Sequence, residues 1–163
     1  MIINNFKMLT RLNKRYFTTS GAGILVKQLK KNGCSNIFLY SGGANLSLLD
    51  EIKKQKMNYI MNVNEQCSGH SAAGYSKSSN KVGVVLSTSG PGLTNLITPL
   101  LDAKNDSVPL IAITGQVPTK ALGTNAFQES PAVELMQHCT KKSSQIKHIK
   151  DIEYLIDEAY YIA

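Results

Sequence analysis

Short, uniformly apolar runs alternate with longer stretches of helical spacing through most of the chain. In AGILVKQLKKNG (22–33), Ile24, Leu25, Gln28 and Leu29 share one helical side and Gly33 supplies a stop signal. SNIFLY (35–40) and MNYIMNV (57–63) predict two strands. Between them ANLSLLDEIKKQK (44–56) predicts a second helix, with Leu46, Leu49 and Ile52 on one side. EQCSGHSAAGYSKSS (65–79) predicts a third helix and KVGVVLST (81–88) a third strand. LTNLITPLLDAKND (93–106) reads as a fourth helix that Pro99 is expected to kink or end. VPLIAITG (108–115) is a fourth strand, and QVPTKALGTNAFQES (116–130) is a loop long enough to expect a function for it. Pro131 begins a short helix in PAVELMQHCT (131–140). KSSQIKHIK (142–150) is read as holding another short strand, and DIEYLIDEAYYIA (151–163) as a last helix capped by Asp151.

Helices alternating with buried strands imply an α/β fold: a doubly wound parallel sheet with helices on both faces, forming a single domain over 21–163. In such a sheet ligands sit beyond the carboxyl ends of the strands. Four loops leave those ends: SGG (41–43), NEQ (64–66), SGPG (89–92) and the segment from Gly115 to Glu129. Each is rich in glycine, proline or small polar residues. Taken singly each is a weak signal; Gly90-Pro91-Gly92 serves any tight entry into a helix. No GxxxxGK[ST] occurs, which removes the P-loop nucleotide enzymes.

Charge changes the picture at one end only. The chain has 163 residues and a net charge of +7, with 18 basic and 11 acidic residues. Its first 20 residues hold Lys7, Arg11, Lys14 and Arg15 and no acid. A basic, acid-free start containing Ser and Thr reads as a mitochondrial transit segment (1–20), with RYFTTS as its processing site. The expected compartment is the mitochondrial matrix, or the cytoplasm otherwise. The localised charge argues against nucleic acid, and no run reaches the roughly 18 apolar residues of a membrane span. Cys34, Cys67 and Cys139 are odd in number and form no C-x-x-C, so neither a disulfide framework nor a metal site is expected.

The third helix is the informative one. Glu65 opens it, and Gly69, Ala72 and Ala73 leave one face almost without side chains. Such a face admits a close backbone neighbour, from the sheet of the same chain or from a partner. An acid in a first turn is favoured by the helix dipole alone, so Glu65 in isolation could be structural.

The ordered set narrows these readings. NEQCSGHSAAGY, STSGPGLTNLITPLLDAKNDSVPLIAITGQVP, GTNAFQE and HCTK resemble the large subunit of acetolactate synthases. More broadly they resemble the N-terminal, pyrimidine-binding domain of thiamine-diphosphate enzymes, over about Gly21 to Ala163. The resemblance implies that Glu65 is the catalytic acid, hydrogen-bonding the 1′ nitrogen of the cofactor's aminopyrimidine. This favours the imino tautomer, which deprotonates the thiazolium carbon. It further implies that Gly42, Gly43, Pro91, Asn95 and Gln128 bind the cofactor, and that Phe127 and Gln128 line the substrate channel. Family substrates are pyruvate and a second 2-keto acid, on the way to branched-chain amino acids.

The sequence departs from the family pattern in places. Asn64 stands where the family commonly has His, Ser41 replaces the proline of Tyr-Pro-Gly-Gly, and Asn125 replaces Asp. The FAD-binding middle domain and the Gly-Asp-Gly segment that holds Mg and the diphosphate have no counterpart. Only the pyrimidine half of the cofactor site is therefore expected. Two expectations follow: an enzyme fragment or truncated paralogue inactive alone, or a non-catalytic module pairing with a full-length synthase. In either, the helix after Glu65 is expected to mediate dimerisation with itself or with that synthase.

Overall fold

The runs NIFL, GVVLS and LIAIT, apolar enough to be buried on both faces, form the centre and one edge of a parallel sheet. A computed structural model describes residues 20–163. The strands are β1 (Asn36–Leu39), β2 (Asn58–Met61), β3 (Gly83–Ser87) and β4 (Leu110–Thr114), in the order β2-β1-β3-β4. All pairs are parallel; Leu39 lies opposite both Met61 and Leu86, and Leu86 opposite Ile113. From β1 the chain first moves to β2 at one edge, then returns to β3 on the other side of β1. That reversal makes the gap between β1 and β3 the topological switch point, where open α/β sheets bind ligands.

The helices are α1 (Gly21–Lys31), α2 (Leu46–Lys54), α3 (Glu65–Ser79), α4 (Pro91–Thr94), α5 (Ile97–Asn105), α6 (Ala132–Met136) and α7 (Ile152–Ile162). Alternate strand residues serve two cores, as the two-residue pleat requires. Ile37, Leu39, Val84 and Leu86 meet Val26 and Leu29 of α1, Ile52 of α2 and Ile156 of α7. Phe38 and Val85 meet Ala72 of α3, Leu93 and Leu96 near α4, Leu100 of α5 and Met136 of α6. The doubly wound arrangement expected from the pattern is therefore the one observed. Buried Gln28 is satisfied by donating to the Asp157 carboxylate of α7.

Three local expectations are corrected. The helix expected over 93–106 is interrupted, as Pro99 led one to expect, but as two separate helices, the first beginning at Pro91. Proline at 99 cannot bond the Asn95 carbonyl, and its ring would collide with it. The break at Asn95–Leu96 leaves Pro99 third in α5, where a helix does not need the missing N–H. The strand expected within 142–150 does not form. That segment and β4 both line a groove of about 630 Å³, and no hydrogen-bonded ladder crosses it. Without a partner for its N–H and C=O groups the segment is not a strand. Asp151 makes no side-chain cap; its backbone is already helical (φ −89°, ψ −9°) and closes the 3₁₀ turn Ile149–Asp151.

The basic leader lies outside the described residues, apart from Ser20, whose hydroxyl caps α1 by accepting from the Gly23 N–H at 3.0 Å. Among the described residues no helix is long and apolar enough to cross a membrane.

Candidate functional site

Glu65 is the first residue of α3 and is only 6% exposed. Its helix begins where it does because Asn64, extended at φ −160°, accepts from the Cys67 N–H at 2.8 Å. The helix dipole favours an acid at that position. Two serines tie the helix to the exit of β2: the Ser71 hydroxyl donates to Asn62 Oδ1 (3.3 Å), and Asn62 Nδ2 donates to the Ser68 hydroxyl (3.4 Å). The carboxylate is thus carried on a braced element.

Across from it lies the loop between β3 and α4. The Asn95 Nδ2 donates to Glu65 Oε2 at 3.0 Å. Asn95 can turn there because it ends α4, in the break that Pro99 imposes. Glu65 Oε1 sits beside Gly92, 3.3 Å from where a Cβ on that glycine would lie, and accepts no hydrogen bond from the described residues. Pro91 is the first residue of α4, preceded by Gly90 at φ +53°, ψ −111°, a conformation essentially confined to glycine. A side chain on Gly90 would also meet the Gln128 carbonyl at 2.7 Å.

The first glycine loop meets the second through Thr88. A Cβ on Gly42 would overlap the Thr88 side chain, and the Ala44 N–H donates to Thr88 Oγ1 at 3.2 Å. A Cβ on Gly43 would touch nothing within 4 Å, so this glycine borders open space. The loop from 116 to 130 reaches the same place through Gln128, whose backbone packs on Gly90 at a left-handed φ of +60°. Glu129 braces that loop from within, accepting from the Gly123 N–H (2.5 Å) and the Ala126 N–H (3.2 Å).

The structure therefore brings Glu65, Asn95, Gly42, Pro91 and Gln128 together around the switch point, with Gly43 at the open rim. Phe127 stands apart, 87% exposed at the loop tip. Sequence reasoning passed over two residues that hold the site together, Thr88 and Asn45. Thr88 immediately precedes SGPG, and Asn45 is the third residue after Gly42 in GGAN, the spacing of a side-chain cap. Those were the signals available for them.

The small face of α3 is used within the chain. Ala72 and Ala73 are buried, and a Cβ on Gly69 would overlap the Pro99 ring of α5. Among the described residues no group of three or more His, Cys, Asp or Glu could hold a metal ion.

Comparison with known proteins agrees with this geometry. Residues 19–137 match the model of the family "Thiamine pyrophosphate enzyme, N-terminal TPP binding domain". The chain is 42% identical over 145 residues to the mitochondrial acetolactate synthase catalytic subunit of Saccharomyces cerevisiae, covering 88% of this chain and 21% of that protein. It is 42% identical over 144 residues to the chloroplastic acetolactate synthase of Arabidopsis thaliana (88% and 22%). With the acetolactate synthase large subunit of Lactococcus lactis the identity is 46% over 146 residues (89% and 25%). The chain thus spans a quarter or less of the length of these relatives. The match over most of the chain, on a sheet whose switch point gathers the matched loops, makes this chain a member of the thiamine pyrophosphate enzyme family, corresponding to its N-terminal cofactor-binding domain.

Proposed function

We propose that this crevice binds the pyrimidine half of thiamine diphosphate and that Glu65 is its acid–base group. The observation that carries the reading is Glu65 itself. It is a buried carboxylate with one oxygen held by Asn95 and the other accepting no hydrogen bond from the described residues, between glycine-rich loops. The residues fit a flat heteroaromatic ring. Gly43 and Gly92 supply backbone without side-chain bulk, and the Glu65 oxygen beside Gly92 is a free acceptor for a ring nitrogen's proton. When bound, thiamine diphosphate supplies the carbanion chemistry of 2-keto acid decarboxylation. Glu65 accepts and shares the proton at the ring nitrogen, and Asn95 keeps the carboxylate oriented for it. Gly42, Pro91 and Gln128 shape the walls. Phe127 stands apart from the crevice, and its part in a substrate channel rests on its place beside Gln128 in the GTNAFQE segment.

The activity we propose for the complete assembly is that of an acetolactate synthase, joining pyruvate to a second 2-keto acid. The match of residues 19–137 to an N-terminal cofactor-binding domain supports a reading in which these residues supply one part of the site. Mg, the diphosphate and FAD are then held by other domains. Pairing with a synthase would use the outer side of α3, where Gln66, His70 and Lys77 are exposed, since its small face is occupied. The mitochondrial relative and the basic leader support a mitochondrial location.

The test is co-expression of this chain with the remaining domains of the Saccharomyces relative, followed by assay of acetolactate. Formation that depends on both parts and is lost with Glu65→Gln supports the proposal. Formation that is indifferent to Glu65→Gln overturns it.

A further inference from the structure

The first glycine loop carries Ser41 where the family pattern has proline, so its backbone lacks that built-in restraint. It is nevertheless closely held. Asn45 is completely buried, and both ends of its amide are spent on the loop. Its Oδ1 accepts from the Gly42 N–H at 3.0 Å, and its Nδ2 donates to the Tyr40 carbonyl at 3.0 Å. Its own N–H bonds the Gly42 carbonyl at 3.2 Å. Tyr40 and Gly42 flank Ser41, whose N–H takes part in no hydrogen bond among the described residues. The amide therefore clamps the one position where proline is missing, from both sides. The clamp sets where Ala44 meets Thr88, and so where the first loop stands against the second.

We propose that Asn45 is a positioning residue of the cofactor crevice. It holds the Gly42–Gly43 turn in the conformation that a bound ring requires, doing with side-chain hydrogen bonds what proline would do covalently. The role rests on the cofactor reading above, but the clamp can be tested with no cofactor present, so the two can fail separately.

The experiment is residue-resolved amide hydrogen exchange on the 163-residue chain. In Asn45→Ala, the Gly42 and Ala44 amides are expected to exchange about tenfold faster or more, the loss of one net hydrogen bond. Amides of Val84 to Leu86 in the sheet, which open only with the whole fold, should accelerate no more than the loop amides do. Adding Ser41→Pro to Asn45→Ala should return the Ala44 amide to within about twofold of the parent. Gly42 should stay fast in that double variant, since its acceptor is still gone. Asn45→Asp keeps the acceptor and removes the donor, and should leave Gly42 slow; this variant serves if Asn45→Ala does not fold. Unchanged Gly42 and Ala44 exchange in Asn45→Ala overturns the proposal. So does acceleration of the sheet beyond that of the loop, which would make Asn45 a general stability residue. A proline that fails to slow Ala44 also overturns it, as does a fast Gly42 in Asn45→Asp.

Discussion

On one face of the sheet Ile37, Leu39 and Val84 meet Leu29, Ile52 and Ile156, large aliphatic chains packed against large aliphatic chains. On the other face α3 presents Gly69, Ala72 and Ala73, and the backbone comes close enough that a Cβ on Gly83 would overlap the Ala72 carbonyl. The first face gains its stability from buried area, roughly 25 cal/mol per Å². The second gives up that area for proximity. α3 lies low on β3 and against α5, and this carries Glu65 within hydrogen-bonding reach of Asn95 on the next loop. The difference teaches that the face with less side-chain volume is the one that places the chemistry. Its small residues are a positional requirement more than a packing economy.

Each side of that comparison can be broken. The largest effect is expected from Glu65→Gln, which keeps shape and removes the titratable group. Acetolactate formation by the complemented enzyme should fall by about 10²-fold or more, with the fold unchanged by circular dichroism. Next, Leu29→Ala on the aliphatic face should cost about 2–5 kcal/mol in denaturant unfolding, leaving the site geometry intact in the remaining folded protein. Gly69→Ala on the other face should cost about 1–3 kcal/mol, because Pro99 must shift, and it should also displace Glu65 from Asn95. A Gly69→Ala chain whose Glu65 and Asn95 resonances do not move would break the link between small residues and placement.

A smaller effect concerns pH. Burial pushes the Cys34 thiol above its ordinary value of 9.0, and burial together with that thiol pushes the Tyr160 hydroxyl up as well. Well below pH 9 the thiol is protonated in both states and stability is unaffected. As pH rises past 9 the unfolded chain ionises while the folded one does not, so stability falls. The melting temperature should therefore drop between about pH 8.5 and about pH 10.5, and a Cys34→Ala chain should drop less. The least disruptive test is alkylation at neutral pH. Exposed Cys67 on α3 should react well before buried Cys34 and Cys139, with no loss of fold.

Much of the fold was legible because its signals are local. Buried strands announce themselves as apolar runs, and Gly33, at φ +80° just past the end of α1, is the stop the sequence signalled. Glu65 was legible as a helix-start acid, but the helix dipole alone favours one there, and its role came only through the resemblance of the ordered motifs. Asn45 and Thr88 were not, because their roles exist only between loops; the Ala44–Thr88 bond joins residues 44 apart in sequence. The segment 142–150 misled because two isoleucines among polar residues cannot say whether a partner strand lies alongside. Pro99 announced a break, but only the collision with the Asn95 carbonyl fixes where it falls, and that position decides where Asn95 points.

The central claim is that Glu65 holds the aminopyrimidine ring of the cofactor at the β1–β3 switch point. It is tested most directly by titrating the isolated chain with thiamine while following amide and side-chain resonances by NMR. We predict saturable shifts concentrated at Gly42, Gly43, Glu65, Gly92 and the Asn95 side-chain amide, lost in Glu65→Gln. Shifts centred elsewhere on the surface, or the same saturation curve in Glu65→Gln, would contradict it.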